Sequence, residues 1–386
     1  MGDETWRRAG WAGAAIGVLA AGAAAGVALE RLTVGRSVRQ KALLALDTEG
    51  PYGALRGTSG RAVADDSTEL YYEVDEVEAE APAPRRRRLF GRKAPAPLTV
   101  VFSHGYCLNQ DSWHFQRAAL RGLVRTVHWD QRSHGRSARG AAQSGPDGVP
   151  VSIDQLGRDL RAVIDAAAPE GPLVLVGHSM GGMTIMALAE QYPELVRDRV
   201  VAVALVGTSA GRLDEVSYGL PIAGVNAVRR VLPGVLRALG SQAELVERGR
   251  RATADLFAGL IKKYSFSSRD VDPAVVRFAE RMIESTPIDV VAEFYPAFVE
   301  HDKDGSLAAF RDLPVLALAG DHDLVTPSSH TEAIADLLPD AELVIVPDGG
   351  HLVMLEHPEA VTDRIADLLV RAGAVPRPEK AGSGNG

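Results

Sequence analysis

One cysteine in 386 residues excludes an intramolecular disulfide, so stability has to come from a packed core. Lysine is almost as scarce: of 42 basic residues, 36 are Arg and only 6 are Lys, which with heavy Ala and Gly use reflects a GC-rich genome rather than a function. Positive charge is not in excess either. The net charge of −8 argues against a dedicated nucleic-acid binder, which needs a basic surface. With 46% hydrophobic and 24% charged residues, global disorder is excluded. The length fits one large domain with an insertion, or two domains.

Charge is also missing from residues 11–29, WAGAAIGVLAAGAAAGVAL. As a helix this run would be ~28 Å long, about the thickness of a bilayer core. A single membrane anchor is the favoured reading. A cleaved signal peptide, with Ala23-Ala24-Ala25 as its cleavage site, and a soluble Ala-rich helix stay open. Arg7 and Arg8 precede the run, while Arg31, Arg36, Arg39 and Lys41 follow it, so the positive-inside rule leans toward a cytoplasmic C-terminal domain; a secreted protein is the alternative. The acidic patch Asp75–Glu80 and the run Arg85-Arg86-Arg87-Arg88 read as a solvated hairpin loop or as a contact with anionic headgroups.

From residue 98 short apolar runs recur: Leu98–Phe102, Thr126–Trp129, Leu173–Val176, Val200–Val206, Val315–Ala319 and Leu343–Val346. They read as buried parallel strands, apolar on both faces. Helix-patterned stretches at Ile153–Ala167, Met183–Gln191 and His330–Leu338 lie between several of them, which predicts an α/β sheet with helices on both faces. Ser67–Val74 adds one more strand-like run. Between Val206 and Val315 no buried strand is legible, but Ala223–Leu239, Ala243–Ile261 and Pro273–Glu284 are helix-patterned. So long a stretch reads as an inserted helical cap. The expected organisation is an anchor or signal segment (1–30), a connector (31–64), core (65–209), cap (210–312), core again (313–371) and a disordered tail (372–386).

The most informative segment runs from Leu173 through Gly177-His178-Ser179-Met180-Gly181 to Met183: a strand, then G-x-S-x-G, then a helical run. A sharp strand-to-helix turn exposes the Ser179 hydroxyl in a strained conformation, and the helix N-terminus behind it favours a developing anion. Side chains at Gly177 and Gly181 would clash in so tight a turn. Met180, Met183, Met186 and His178 stand at helical spacing, which reads as core packing rather than a metal site.

With this motif and three others in order, residues 65–370 resemble the α/β-hydrolase superfamily, closest in look to cap-bearing esterases and lipases. The resemblance implies a mostly parallel, eight-stranded-type sheet. It implies an oxyanion pair from the His104-Gly105-Tyr106 element, Tyr106 N–H with Met180 N–H. It makes the second Asp of Gly320-Asp321-His322-Asp323, Asp323, the acid, with Asp321 and Asp214 as alternatives, and His351 the base. It reads His104 and the Asp130–Ser137 loop, including His134, as structural, and His357 as helping to start the final helix. Cys107 reads as a small pocket residue. Trp113 and Phe115 are expected to line the acyl pocket or pack beneath it, and Leu220 and Ile222 to face substrate from the cap, or simply to pack it. The order Ser179, Asp323, His351 suits the fold.

A Ser nucleophile argues against dehalogenase and epoxide-hydrolase relatives, which use Asp there. The expectation is a serine hydrolase acting on a small-molecule or lipid ester, with no cofactor and no metal. Thioesterase, acyltransferase, perhydrolase or C–C hydrolase chemistry with the same triad, and a non-catalytic binding protein, are the alternatives.

Overall fold

The computed structural model describes residues 52–77, 96–140, 143, 149–213, 216, 234, 263–267 and 270–373. Eight strands are described: β1 (Thr58–Val63), β2 (Glu69–Asp75), β3 (Thr99–Ser103), β4 (Arg125–Trp129), β5 (Leu173–His178), β6 (Val200–Val206), β7 (Val315–Gly320) and β8 (Glu342–Val346). The helices are α1 (His114–Leu120), α2 (Ile153–Ala167), α3 (Met180–Gln191), α4 (Pro193–Arg199), α5 (Pro273–Glu284), α6 (Ile288–Val299), α7 (Ser328–Leu337), α8 (Val353–Glu356) and α9 (Pro358–Arg371). They build one sheet of order β1-β2-β4-β3-β5-β6-β7-β8. β1 and β2 pair antiparallel and β2 meets β4 antiparallel; every other pairing is parallel. The mostly parallel sheet with helices on both faces is thus as expected.

Strand alternation explains the two apolar layers. Val101, Val127, Leu175, Val203, Leu205 and Ala317 face one side, where they cluster with Leu160 and Ile164 of α2 and Ile185 of α3. Phe102, Val174, Val176, Ala204 and Leu318 face the other, against Leu120 of α1 and Val361, Ile365 and Leu368 of α9. β3, β5 and β7 are buried at every position, which is why they read as continuous apolar runs. β1 falls in the stretch expected to be a connector. As an edge strand it is mostly exposed, so it carries no apolar run to betray it.

Between β6 and β7, α5 occupies the expected Pro273–Glu284 and α6 follows it. The expected helix at 223–239, apart from helical Gly234, the one at 243–261, the segment 11–29, the arginine run 85–88 and the tail after 373 lie outside the described residues. Among the described residues no helix is long and apolar enough to cross a membrane.

Candidate functional site

Ser179 sits where central strand β5 turns into α3, with φ +51 and ψ −119. A non-glycine residue there stores ~1–3 kcal/mol and persists only where neighbours over-determine it. They do: Ser179 N–H donates to Val206 O at 2.9 Å, and Thr208 Oγ1 donates to Ser179 O at 2.7 Å. Two glycines permit the packing. A Cβ on Gly181 would stand 2.2 Å from Ser103 O, and one on Gly105 would stand 2.6 Å from His178 Nδ1 and 3.2 Å from Ser179 Cβ. The backbone of Ser103–Gly105 is therefore pressed against the serine turn. Met180 N–H is the first of α3, one of those a helix leaves without an intrahelical acceptor.

His351, on the loop after β8, and Asp323, on the loop after β7, complete a line with Ser179. His351 Nε2 stands 3.0 Å from Ser179 Oγ, and His351 Nδ1 2.8 Å from Asp323 Oδ2. With Nδ1–H given to the carboxylate, Nε2 is left to accept the serine proton. Asp323 Oδ1 accepts Val325 N–H at 2.8 Å and Thr326 N–H at 2.9 Å, and Thr326 Oγ1 lies 3.0 Å from Oδ2. Burial pushes the Asp323 carboxyl up, but the His351 charge and these bonds outweigh it and hold it below the usual carboxylate range. Asp321, the alternative acid, turns away to His322 Nδ1 (2.7 Å) and Gly349 N–H (3.2 Å). Asp214 lies outside the described residues.

The other histidines nearby are committed elsewhere. His104 Nδ1 donates to Gly105 O at 2.7 Å and its Nε2 accepts Gln131 N–H at 2.9 Å. His134 Nδ1 donates to Arg132 O and its Nε2 accepts Cys107 N–H, at 2.9 and 3.1 Å. His178 Nε2 donates to His351 O at 2.9 Å, which steadies the loop behind the base. Burial, chiefly, lowers the pKa of His104 to about 3, of His134 to about 4 and of His178 to about 3, so all three are neutral.

Tyr106 hangs from the same loop as His104 and spans to α6: its hydroxyl donates to Val291 O at 2.5 Å, and its ring meets Phe298 at 4.9 Å and Phe294 at 6.0 Å. Trp113 is wholly buried in the apolar cluster on the α1 and α9 face of the sheet, 5.2 Å from the ring of Phe102 and 6.4 Å from that of His178. Phe115 is partly buried and packs against Tyr52. Leu220 and Ile222 lie outside the described residues. Cys107 is buried, with φ +58. Sequence reasoning passed over Thr326, whose hydroxyl lies between Asp323 and Gly207 O; its place three residues after an Asp, at a turn, was the available signal.

Comparison with known proteins agrees with the fold. The family model described as "alpha/beta hydrolase fold" matches residues 99–358. The chain is similar to the putative carbamate hydrolase RutD of Caulobacter sp. (strain K31), 29% identical over 281 residues, 72% of this chain and 93% of that protein. It is also similar to the sn-1-specific diacylglycerol lipase ABHD11 of Mus musculus, 27% identical over 291 residues, 75% of this chain and 86% of that one. Among solved structures, the enol-lactonase from Burkholderia xenovorans LB400 superposes with a TM-score of 0.59 at 25% identity, covering 81% of this chain and 100% of its own.

Proposed function

The chain belongs to the α/β-hydrolase fold family, and from that premise we propose that it is a serine hydrolase cleaving a carboxylic ester through an acyl-enzyme intermediate. One observation carries the reading: a strained serine whose hydroxyl is in line with a histidine that is in turn oriented by a buried carboxylate. His351 takes the Ser179 proton as Oγ attacks the ester carbonyl. Asp323 holds the tautomer and stabilises the imidazolium. Tyr106 N–H and Met180 N–H receive the oxyanion; one such donor is worth ~10²–10³ in rate. The alcohol leaves with the proton from His351, and water, deprotonated by the same nitrogen, releases the acid. These side chains supply every proton transfer, so the reaction as written needs no cofactor and no metal.

We propose a lipophilic substrate. Support comes from the apolar surround, in which Met180, Met183, Val290, Phe294 and Ala297 cluster with Tyr106, Leu213 and Phe298, and from the likeness to a diacylglycerol lipase. We assign residues 210–312 to a cap whose helix α6 roofs the Tyr106 loop, and residues 11–29 to a membrane anchor that would bring the site to lipid esters. Partition of the full chain into the membrane fraction tests the anchor; release of a shortened soluble chain would favour a cleaved signal.

The test of function is hydrolysis of p-nitrophenyl esters from acetate to palmitate by the full chain, beside Ser179→Ala. Turnover that the variant abolishes, with an optimum at the longer chains, is the expected result. Equal turnover by both proteins would overturn the reading.

A further inference from the structure

We infer that Glu356 is a positioning residue for His351, and that it does so by seating a segment of the β6–β7 insertion on the loop that carries the base. The inference rests on the serine-hydrolase reading above.

The side chain of His351 is spoken for by Ser179 and Asp323, but its place depends on a loop, residues 347–352, that belongs to no strand or helix. Glu356 closes α8 just after that loop and turns its carboxylate back. Oε2 accepts Gly350 N–H at 2.7 Å. The same carboxylate accepts Ser267 N–H, at 3.1 Å to Oε1 and 3.3 Å to Oε2. Ser267 Oγ donates to Asp348 O, and Leu352 N–H donates to Ser265 O at 2.8 Å. Residues 348, 350 and 352, on both sides of the base, are thus tied to Glu356 or to Ser265–Ser267.

The contact between the two segments is close. A Cβ on Gly350 would stand 2.6 Å from Ser267 N and 2.7 Å from Phe266 Cα. Phe266 itself is buried in the apolar cluster that holds Leu352, Val353 and Leu355. Ser265–Ser267 lies outside the core strands, in the insertion that precedes α5. One carboxylate therefore bonds the base loop and the insertion at once, and an N–H acceptor lost there frees both. A base displaced by about 1 Å costs on the order of 10²-fold in rate without weakening substrate binding.

The test compares Glu356→Ala and Glu356→Gln with the wild-type full chain, each confirmed folded by thermal melting. The readouts are kcat and KM for p-nitrophenyl butyrate and the rate at which a fluorophosphonate labels Ser179. The expected result is a kcat about 10²-fold lower for Ala and about 10-fold lower for Gln, which keeps one carbonyl acceptor, with KM within about threefold and labelling slowed in the same order. A folded Glu356→Ala with wild-type kcat, or a KM that rises while kcat holds, overturns the role. If Ala does not fold, Gln decides alone: wild-type kcat overturns the role, and a lowered kcat at constant KM supports it. A wild-type chain that neither turns over nor labels overturns the nucleophile reading itself, and the role of Glu356 with it.

Discussion

Two regions at the C-terminal edge of the sheet each hold an aspartate, a histidine and a serine, and only one of them is built to react. In the Asp130–Ser137 loop, Asp130 accepts Gln110 N–H and Arg136 N–H, both at 2.8 Å, Ser137 Oγ donates to Asp130 O, and both nitrogens of His134 are bonded to backbone. All three side chains close on the chain itself. In the other region the same three residue types form an open line. Asp323 Oδ1 is saturated by backbone and Oδ2 orients His351, while the line ends at a serine hydroxyl on a strained turn beside the first N–H of a helix. Composition does not separate a site from a brace; the hydrogen-bonding capacity left at the end of the line does.

The largest expected effect separates the two regions outright. Ser179→Ala should lower kcat for an ester by ~10⁶-fold, whereas Ser137→Ala, which removes a bond to Asp130 O and the acceptor of Tyr71 N–H, should stay within tenfold of wild type in the same assay. Next comes the acid. Asp323→Asn should cost ~10⁴-fold in kcat with the fold intact, because an amide no longer selects the Nδ1–H tautomer of His351. A loss under tenfold would move the acid elsewhere.

The brace should fail differently, in stability rather than chemistry. Arg132 is fully buried, its Nε and Nη2 each 2.6 Å from an oxygen of Asp159, itself fully buried, with Nη1 2.8 Å from Asp66 Oδ2. Arg132→Ala strands the Asp159 charge and should lower unfolding free energy in urea by about 3–5 kcal/mol. A loss under 1 kcal/mol would show the network to be idle.

The smallest effect is a pH slope. His134 has its pKa lowered to about 4 by burial, against ~6.5 unfolded, so the native state binds fewer protons than the unfolded state between those values. Its contribution is complete above pH ~6.5 and is lost as pH falls toward 4. Relative to His134→Gln, wild type should therefore lose up to about 1.4 kcal/mol of stability per pH unit across that window. Parallel stability curves for the two proteins would place a charged His134 in the native state.

Much of this was legible beforehand because it is local. The Ser179 turn shows as a strand, G-x-S-x-G and a helix within eleven residues, and the central parallel strands show as apolar runs because both their faces are covered; β8, expected to be buried, is instead an edge strand with only Val346 buried, because no further strand covers its outer side. Edge strand β1 stayed hidden because, mostly exposed, it carries only Ala62 and Val63 as apolar residues. What was not legible depends on chain segments far apart. That His134 is consumed by Cys107 N–H, that Tyr106 reaches Val291 O, and that Glu356 bonds Ser267 are facts of tertiary placement with no signature in the spacing around each residue. The family resemblance, not the local residues, told the histidines apart; in the structure His104, His134, His178 and His351 differ by what occupies their nitrogens.

The most direct test of that difference is the site and rate of labelling by a fluorophosphonate, read by peptide mass spectrometry on wild type, His351→Gln and His134→Gln. The account predicts one labelled residue, Ser179, with labelling abolished by His351→Gln and slowed less than about tenfold by His134→Gln. Label on Ser137 or another serine, or equal loss in the two variants, would contradict it.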